Sequence, residues 1–114
     1  MKAVIVEASP RRDGSSVTIA RSFIRGLRDG GEADITELFL NDMDVKPCIG
    51  CWKCMEMREP GCVIDDDMVG VYPLLRAADL IVFATPIYWW HIAGQMKVFL
   101  DLSLIHISEP TRPY

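Results

Sequence analysis

Two short apolar runs constrain the fold of this chain more than any other feature. Residues 3–6 read Ala-Val-Ile-Val and residues 80–84 read Leu-Ile-Val-Phe-Ala, so neither run alternates with polar residues. A strand that is apolar on both faces is typical of a parallel sheet covered by helices on both sides. The sequence therefore predicts an α/β fold built around buried parallel strands.

The segments between these runs predict helices and a third strand. Gly30-Gly31 ends the first helix, and residues 33–38 alternate like a more exposed strand. A second helix is expected after the aspartates at 65–67, with Pro73 disturbing it, and a third helix is expected from Gly94. The first helix is indicated by apolar residues at helical spacing after a polar stretch: Val17, Ile19, Ala20, Phe23, Ile24 and Leu27.

Length and charge narrow the class of protein. The chain has 114 residues, which is enough for one domain at most, and its 12 basic and 16 acidic side chains give a net charge of −4. Proteins that coat nucleic acid or anionic membranes need an excess of Lys and Arg, so neither partner is expected. No apolar run approaches the roughly 18 residues of a membrane span, and no signal peptide is evident, so we expect a cytoplasmic protein.

The first loop (residues 9–16) reads Ser-Pro-Arg-Arg-Asp-Gly-Ser-Ser and lies between a predicted strand and a predicted helix. Ligands of parallel sheets bind outside the carboxyl ends of the strands, and a helix N-terminus favours a phosphate. The hydroxyls, the flexible Gly14 and the arginines at 11 and 12 suit a phosphomonoester. The loop matches neither the Walker nor the dinucleotide motif, and the alternative is an ordinary exposed loop with a serine cap.

The second loop (residues 85–90) reads Thr-Pro-Ile-Tyr-Trp-Trp and follows the other apolar strand. Three adjacent aromatic residues after a proline could hold a flat conjugated ring, although packing in a core or interface explains them equally well. Together, the two loops indicate one ligand with a phosphate at one end and a planar ring at the other. His91 follows the tryptophans and is interpreted as a pocket-edge residue rather than a general base.

These two loops, with Cys-Ile-Gly-Cys-Trp-Lys-Cys at 48–54 and Gly-Cys-Val-Ile-Asp-Asp-Asp-Met at 61–68, resemble the flavodoxin-like NADPH-dependent FMN reductases and their iron-sulfur flavoprotein branch. The resemblance covers residues 1–101 in order. It implies FMN as cofactor and NAD(P)H as co-substrate. It also implies that the phosphate and the isoalloxazine ring of FMN are bound by Ser9, Arg11, Gly14, Ser15, Ser16, Pro86, Ile87, Tyr88 and Trp89.

The resemblance also implies a fold and an activity. The fold would be a flavodoxin-like doubly wound parallel sheet with strand order 2-1-3 and with its fourth and fifth strands missing. The activity would be hydride transfer from NAD(P)H to flavin and then electron transfer to a small-molecule or protein acceptor, in a homodimer or higher homo-oligomer. The alternatives are a flavodoxin-type electron carrier without NAD(P)H activity and a zinc-stabilised regulatory domain.

Four cysteines follow the pattern C-x2-C-x2-C-x7-C, at Cys48, Cys51, Cys54 and Cys62. In a cytoplasmic chain, such thiols are more often metal ligands or redox groups than structural disulfides. Four close thiolates suit a 4Fe–4S cluster, as in the iron-sulfur flavoproteins, and also a zinc ion. Free thiols without a metal are the third alternative.

Residues 102–114 are expected to be a non-native tail. Residues 102–112 resemble the in-frame translation of a transposase adapter used in sequencing libraries, so residues 1–101 would form a partial FMN-binding domain. In that case the third strand would keep an uncovered apolar edge, and we expect the 114-residue chain to fold poorly.

Overall fold

A three-stranded parallel sheet forms the centre of the molecule. The computed structural model describes residues 1–56 and 62–108, with side chains through residue 103. Strands β1 (Lys2–Glu7), β2 (Asp34–Phe39) and β3 (Leu80–Ala84) pair in the order β2-β1-β3. Val4 lies opposite Thr36 on one side and Ile81 on the other. The α/β class and the 2-1-3 strand order predicted from the sequence are therefore confirmed.

Three helices cover the sheet. They are α1 (Ser15–Asp29), α2 (Met68–Ala77) and α3 (Gly94–Ser108), and each lies between or after strands in the chain. Helix α1 ends at Gly30, as the Gly-Gly pair predicts. Pro73 lies inside α2 rather than ending it.

Strand β1 is buried on both faces, which explains its continuous apolar sequence. Ala3 and Ile5 pack with Ala20 and Ile24 of α1 in one small core. The opposite face packs in a larger core with α2, α3 and the segment after β2, and its buried members include Val4, Val6, Ala8, Leu38, Leu40, Met68, Val71, Tyr72, Leu75, Met96, Phe99 and Leu102. Successive residues of one strand therefore belong to different cores, as the period of two requires.

Helix α1 buries fewer residues than its apolar spacing predicts. Val17, Ala20 and Ile24 are buried, whereas Ile19 is 70% exposed and Phe23 is 44% exposed. The sheet presents one narrow face to α1, so apolar residues at the margin of the helical stripe remain in contact with solvent. The apolar spacing that included Ile19 and Phe23 therefore predicted the helix correctly but did not define which of its apolar residues are buried.

A hairpin that the sequence did not predict follows β3. Strands β4 (Ile87–Tyr88) and β5 (His91–Ile92) pair antiparallel, with Trp89 and Trp90 between them. Both tryptophans have left-handed backbone conformations, with φ of 51° and 68°. Two-residue hairpin turns require positive φ, which normally selects Asn or Gly, so this sequence gave no turn signal.

The remaining chain is less regular. Short 3₁₀ turns occur at Leu40–Asp42 and Lys53–Met55. Within the described ranges, no helix is both long and apolar enough to cross a bilayer. Helix α3 continues through residues 102–108 of the predicted tail, while residues 109–114 lie outside the described part. That the tail is non-native stays a prediction.

Candidate functional site

The two loops singled out in the sequence meet at the carboxyl edge of the sheet. Glu7 lies opposite Ala84, and the Ala8 amide donates a 2.9 Å hydrogen bond to the Ala84 carbonyl. Because β1 and β3 are parallel neighbours, the residues that follow them emerge on the same side. The first loop (residues 9–16) and the second loop (residues 85–90) are thus adjacent in space although distant in sequence.

The first loop folds back on itself through Ser9 and Arg11. The Ser9 hydroxyl donates to the Arg11 carbonyl at 3.0 Å and accepts from the Arg11 amide at 3.1 Å. The Gly14 amide donates to the same carbonyl at 3.3 Å. Ser9 was predicted to contact phosphate, and its hydroxyl here also shapes the loop.

The loop delivers the uncapped N-terminus of α1 to this edge of the sheet. Gly14 is the N-cap residue, and no side chain caps the first amides of the helix. Free amides and the helix dipole favour an anion at this position. A Cβ at Gly14 would lie 3.1 Å from the Ser9 hydroxyl and 3.4 Å from the Arg11 carbonyl, so a side chain there would displace the Ser9 hydroxyl by a few tenths of an ångström.

Thr85 organises the second loop. Its hydroxyl donates to the Pro86 carbonyl at 2.9 Å and accepts from the Ala93 amide at 3.0 Å, which joins the end of β3 to the start of α3. The hairpin beyond it is open to solvent, with Ile87 77% exposed and Trp89 94% exposed. The apolar groups of this loop therefore face outward rather than into the core.

A cavity of about 750 Å³ lies between the two loops. This volume is within the range of small-molecule and cofactor sites. Ser, Gly and charged residues line one end, and Thr, Pro, Ile and Tyr line the other. The lining residues are Ser9, Arg11, Asp13, Gly14, Ser15, Ser16, Ile19, Thr85, Pro86, Ile87 and Tyr88.

Most residues of the predicted flavin site are thus brought together, with one exception. Trp89 is not among the lining residues, because the left-handed turn carries its side chain into solvent. Sequence reasoning missed Asp13, Ile19 and Thr85. The signal for Ile19 was its spacing, since it lies one helical turn after Ser15 and therefore on the same face of α1.

Glu7 is a buried carboxyl group at the end of β1. Its residue is fully buried, and neither side-chain oxygen has a hydrogen-bond partner among the described residues. Burial raises the pKa of Glu7, and the Glu37 carboxylate raises it further, whereas Arg21 and Arg12 oppose the shift. A negative charge is therefore disfavoured just below the anion-binding end of the cavity.

The four cysteines lie in a separate segment between β2 and α2. All four are free thiols; Cys48 and Cys51 are exposed, and Cys54 and Cys62 are half-buried. Backbone amides of Gly50 and of Ile64 donate to the sulfurs of Cys48 and Cys62, at 3.4 and 3.5 Å. Cys62 also packs against the larger core, which anchors one end of the segment.

The cysteines are close enough to influence one another. Burial raises the pKa of the Cys54 thiol, and Cys62 is the next cause, with smaller contributions from Cys48 and Cys51. A metal or cluster would relieve this mutual repulsion, so the donor set suits one chemically. Among residues 1–56 and 62–108, however, no three potential ligands lie near enough to share a metal ion. Among the described residues, the four cysteines therefore share one segment without forming a coordination sphere.

Comparison with known proteins identifies the family. The sequence model of the NADPH-dependent FMN reductase family matches residues 1–111. The chain therefore belongs to the NADPH-dependent FMN reductase family, an oxidoreductase family, and the flavodoxin-like architecture agrees with this assignment.

Two relatives illustrate the sequence similarity. An iron-sulfur flavoprotein of Methanosarcina thermophila is 32% identical over 105 residues, covering 92% of this chain and 53% of that protein. An iron-sulfur flavoprotein of Archaeoglobus fulgidus is 30% identical over 111 residues, and the match covers 97% of this chain and 49% of the Archaeoglobus protein. The chain thus spans about half the length of the curated relatives it matches.

Solved structures show the same fold. The crystal structure of Smu.1420 from Streptococcus mutans matches with a TM-score of 0.67 at 20% identity, covering 89% of this chain and 52% of that chain. The apo form of an NADH:FMN oxidoreductase, EMOB, matches with a TM-score of 0.62 at 20% identity, and the match covers 89% of this chain and 49% of the EMOB chain. At this identity the match supports the architecture alone.

Proposed function

We propose that this chain provides the FMN-binding half of an NAD(P)H-dependent oxidoreductase that passes electrons from the flavin to an acceptor. The cavity between the two loops carries the proposal, because it joins an anion-binding end to an apolar, aromatic end. FMN has the matching shape, with a phosphate and a planar ring separated by a flexible chain. Family membership supports the same cofactor.

The first loop would hold the phosphate of FMN. Arg11 lines the cavity and supplies positive charge, and Ser15 and Ser16 supply hydroxyls at the start of α1. The uncapped helix amides supply further donors. Gly14 lets the loop close tightly where a side chain would crowd the Ser9 hydroxyl.

The second loop would hold the ring. Pro86, Ile87 and Tyr88 line the far end of the cavity, and Thr85 keeps this loop in place. FMN held there would supply hydride and electron-transfer chemistry, which belongs to the cofactor rather than to the protein. The chain's contribution would be binding, orientation and partial exclusion of water. The hypothesis needs no acid or base from the protein.

The cysteine segment would hold a 4Fe–4S cluster that relays single electrons. The four thiol donors support this part of the proposal, and so does the similarity to two proteins named iron-sulfur flavoprotein. Zinc and metal-free thiols are the competing outcomes. Anaerobic purification with iron, sulfide and zinc analysis separates the three, and Cys48→Ser should lower iron and sulfide together if a cluster is present.

The acceptor is proposed to be a small molecule or a redox protein, and the protein a cytoplasmic homodimer or larger homo-oligomer. The exposed turn of the hairpin supports an oligomer, since Trp89 and Trp90 are 94% and 95% exposed. Large aromatic side chains are enriched in interfaces, where they become buried.

FMN titration followed by steady-state NAD(P)H oxidation tests the function. For the whole oxidoreductase of which this chain provides the FMN-binding half, we expect stoichiometric FMN binding and turnover with a quinone or ferric acceptor. Bound FMN without NAD(P)H oxidation would support the electron-carrier alternative. Zinc without flavin absorption would support the regulatory domain.

A further inference from the structure

Arg12 is the basic residue of the first loop that does not line the cavity. Its Nη2 donates a hydrogen bond to Asp42 Oδ2, and the two side chains form an ion pair. Its guanidinium carbon lies 4.3 Å from the centroid of the Phe39 ring. Both partners belong to the end of β2, because Phe39 closes the strand and Asp42 closes the 3₁₀ turn that follows.

One side chain therefore connects the loop after β1 to the neighbouring strand. A guanidinium can stack on a ring and bind a carboxylate at the same time, which a lysine ammonium cannot do in the same geometry. The side chains of Arg12 and Asp42 are each half or more exposed, so the ion pair alone is weak. The contact with the ring of Phe39 adds to it. Arg11, the adjacent arginine, instead lines the cavity.

We propose that Arg12 is a positioning residue that fastens the first loop to the end of β2 and does not itself bind the phosphate. The loop is then held at Ser9, at Arg12 and at the Gly14 amide, and Arg11 is the arginine presented to the ligand. The identity of the ligand rests on the proposed function, whereas the fastening of the loop does not.

Amide hydrogen exchange in the ligand-free oxidoreductase that contains this FMN-binding half tests the fastening directly. Arg12→Gln and Asp42→Asn should each speed exchange of the Gly14 amide by about three- to ten-fold, because each removes the ion pair between the first loop and the end of β2. Exchange of the Ile5 amide in β1 should not change, which shows that the sheet remains intact. The control Arg25→Gln alters an exposed arginine that bonds only Ser22 among the described contacts, and should have no effect. Unchanged Gly14 exchange in both variants would overturn the proposal.

Binding of FMN and of riboflavin, which lacks the phosphate, separates positioning from direct contact. Arg12→Gln, Arg12→Lys and Asp42→Asn should each weaken FMN binding about three- to ten-fold and riboflavin binding less than two-fold, and the Arg12→Gln/Asp42→Asn double variant should be no weaker than either single variant. Rescue by Arg12→Lys, or unchanged or tighter FMN binding in Asp42→Asn, would show a direct phosphate contact and overturn the proposal. If the unaltered oxidoreductase binds no FMN, the proposed function fails, and the exchange comparison alone decides the role of Arg12.

Discussion

At the scale of single residues, the site depends on two positions where a small chemical change has a large local effect. Gly14 lies close to Ser9 and Arg11, and Glu7 is fully buried between the ends of β2 and β3. The sequence predicted a role for Gly14 in the phosphate-binding loop but gave no signal for Glu7, because a glutamate at a strand end is common. Their roles follow from what the fold places around them.

Gly14→Ala should weaken FMN binding by about ten-fold. The new methyl group would lie 3.1 Å from the Ser9 hydroxyl, so the loop must shift where the phosphate would bind. Gly26→Ala is the matched control, since nothing lies within 4 Å of its Cβ and it is in α1. That control should leave binding unchanged and stabilise the protein by about 0.5–1 kcal/mol. Fluorescence titration and thermal unfolding measure both; equal affinities in the two variants would contradict the prediction.

Glu7→Gln should change the pH dependence of stability. The pKa of the Glu7 carboxyl is higher in the folded state than in the unfolded state. Such a group contributes its full stability at pH values below the pKa of the unfolded state, and this contribution is lost as the pH rises through the pKa of the folded state. The stability should therefore begin to fall near pH 4.5, the ordinary pKa of a glutamate, and continue to fall at higher pH. Replacing this unpaired buried acid should raise the free energy of unfolding by about 1–3 kcal/mol at pH 8 and much less at pH 4.5.

Chemical denaturation across pH measures this effect. Glu32→Gln, which alters an exposed carboxylate in the turn before β2, provides the comparison and should follow the unaltered chain at every pH. If Glu7→Gln and Glu32→Gln have the same pH profile, Glu7 does not titrate as its burial requires.

At the scale of elements, the hairpin after β3 is held in an unfavourable conformation. Trp89 and Trp90 both adopt positive φ, which costs roughly 1 kcal/mol or more for a residue with a Cβ. Two exposed tryptophans in a strained turn beside a cavity indicate that the tryptophan side chains have a role in binding or association. Their contribution to binding or association would offset the conformational cost.

Trp90→Gly should therefore strengthen the hairpin. Glycine adopts positive φ without penalty, so the amides paired between β4 and β5 should exchange about three- to ten-fold more slowly. Trp90→Phe keeps the strain and serves as control. Faster exchange in the glycine variant would show that the tryptophan side chain, rather than the backbone, stabilises the turn.

The elements also show why part of the structure was predictable. Strands β1 and β3 and helix α1 have apolar spacing that only one arrangement can bury, and the order 2-1-3 followed from the resemblance. The hairpin was missed because its turn lacks Asn and Gly, and the exposure of Ile19 was missed because helical spacing does not define the width of the covered face. Eight of the nine proposed flavin-binding residues line the cavity, and Trp89 does not, because the turn redirects it.

At the scale of the whole molecule, β3 is an edge strand of the described sheet. It is only partly buried, and Phe83 is 39% exposed although its ring packs edge-on against Phe99 at 6.4 Å. The short hairpin forms its own two-stranded sheet and does not pair with β3. An edge of this kind can pair with another chain.

We expect the expressed 114-residue chain to unfold over a broad, poorly cooperative transition and to self-associate. Scanning calorimetry and size-exclusion chromatography with light scattering measure both properties. A sharp transition in a monodisperse monomer that binds FMN stoichiometrically would contradict this expectation.

The pairing of β1 with β3 has a consequence for how the site comes into existence. The two walls of the cavity are far apart along the chain and meet only through contacts such as the bond between Ala8 and Ala84. Closing a long stretch of chain costs entropy and makes such contacts form late in folding. The cavity should therefore form late in folding. A ligand that binds both loops would slow unfolding, because β1 and β3 could not separate while it is bound.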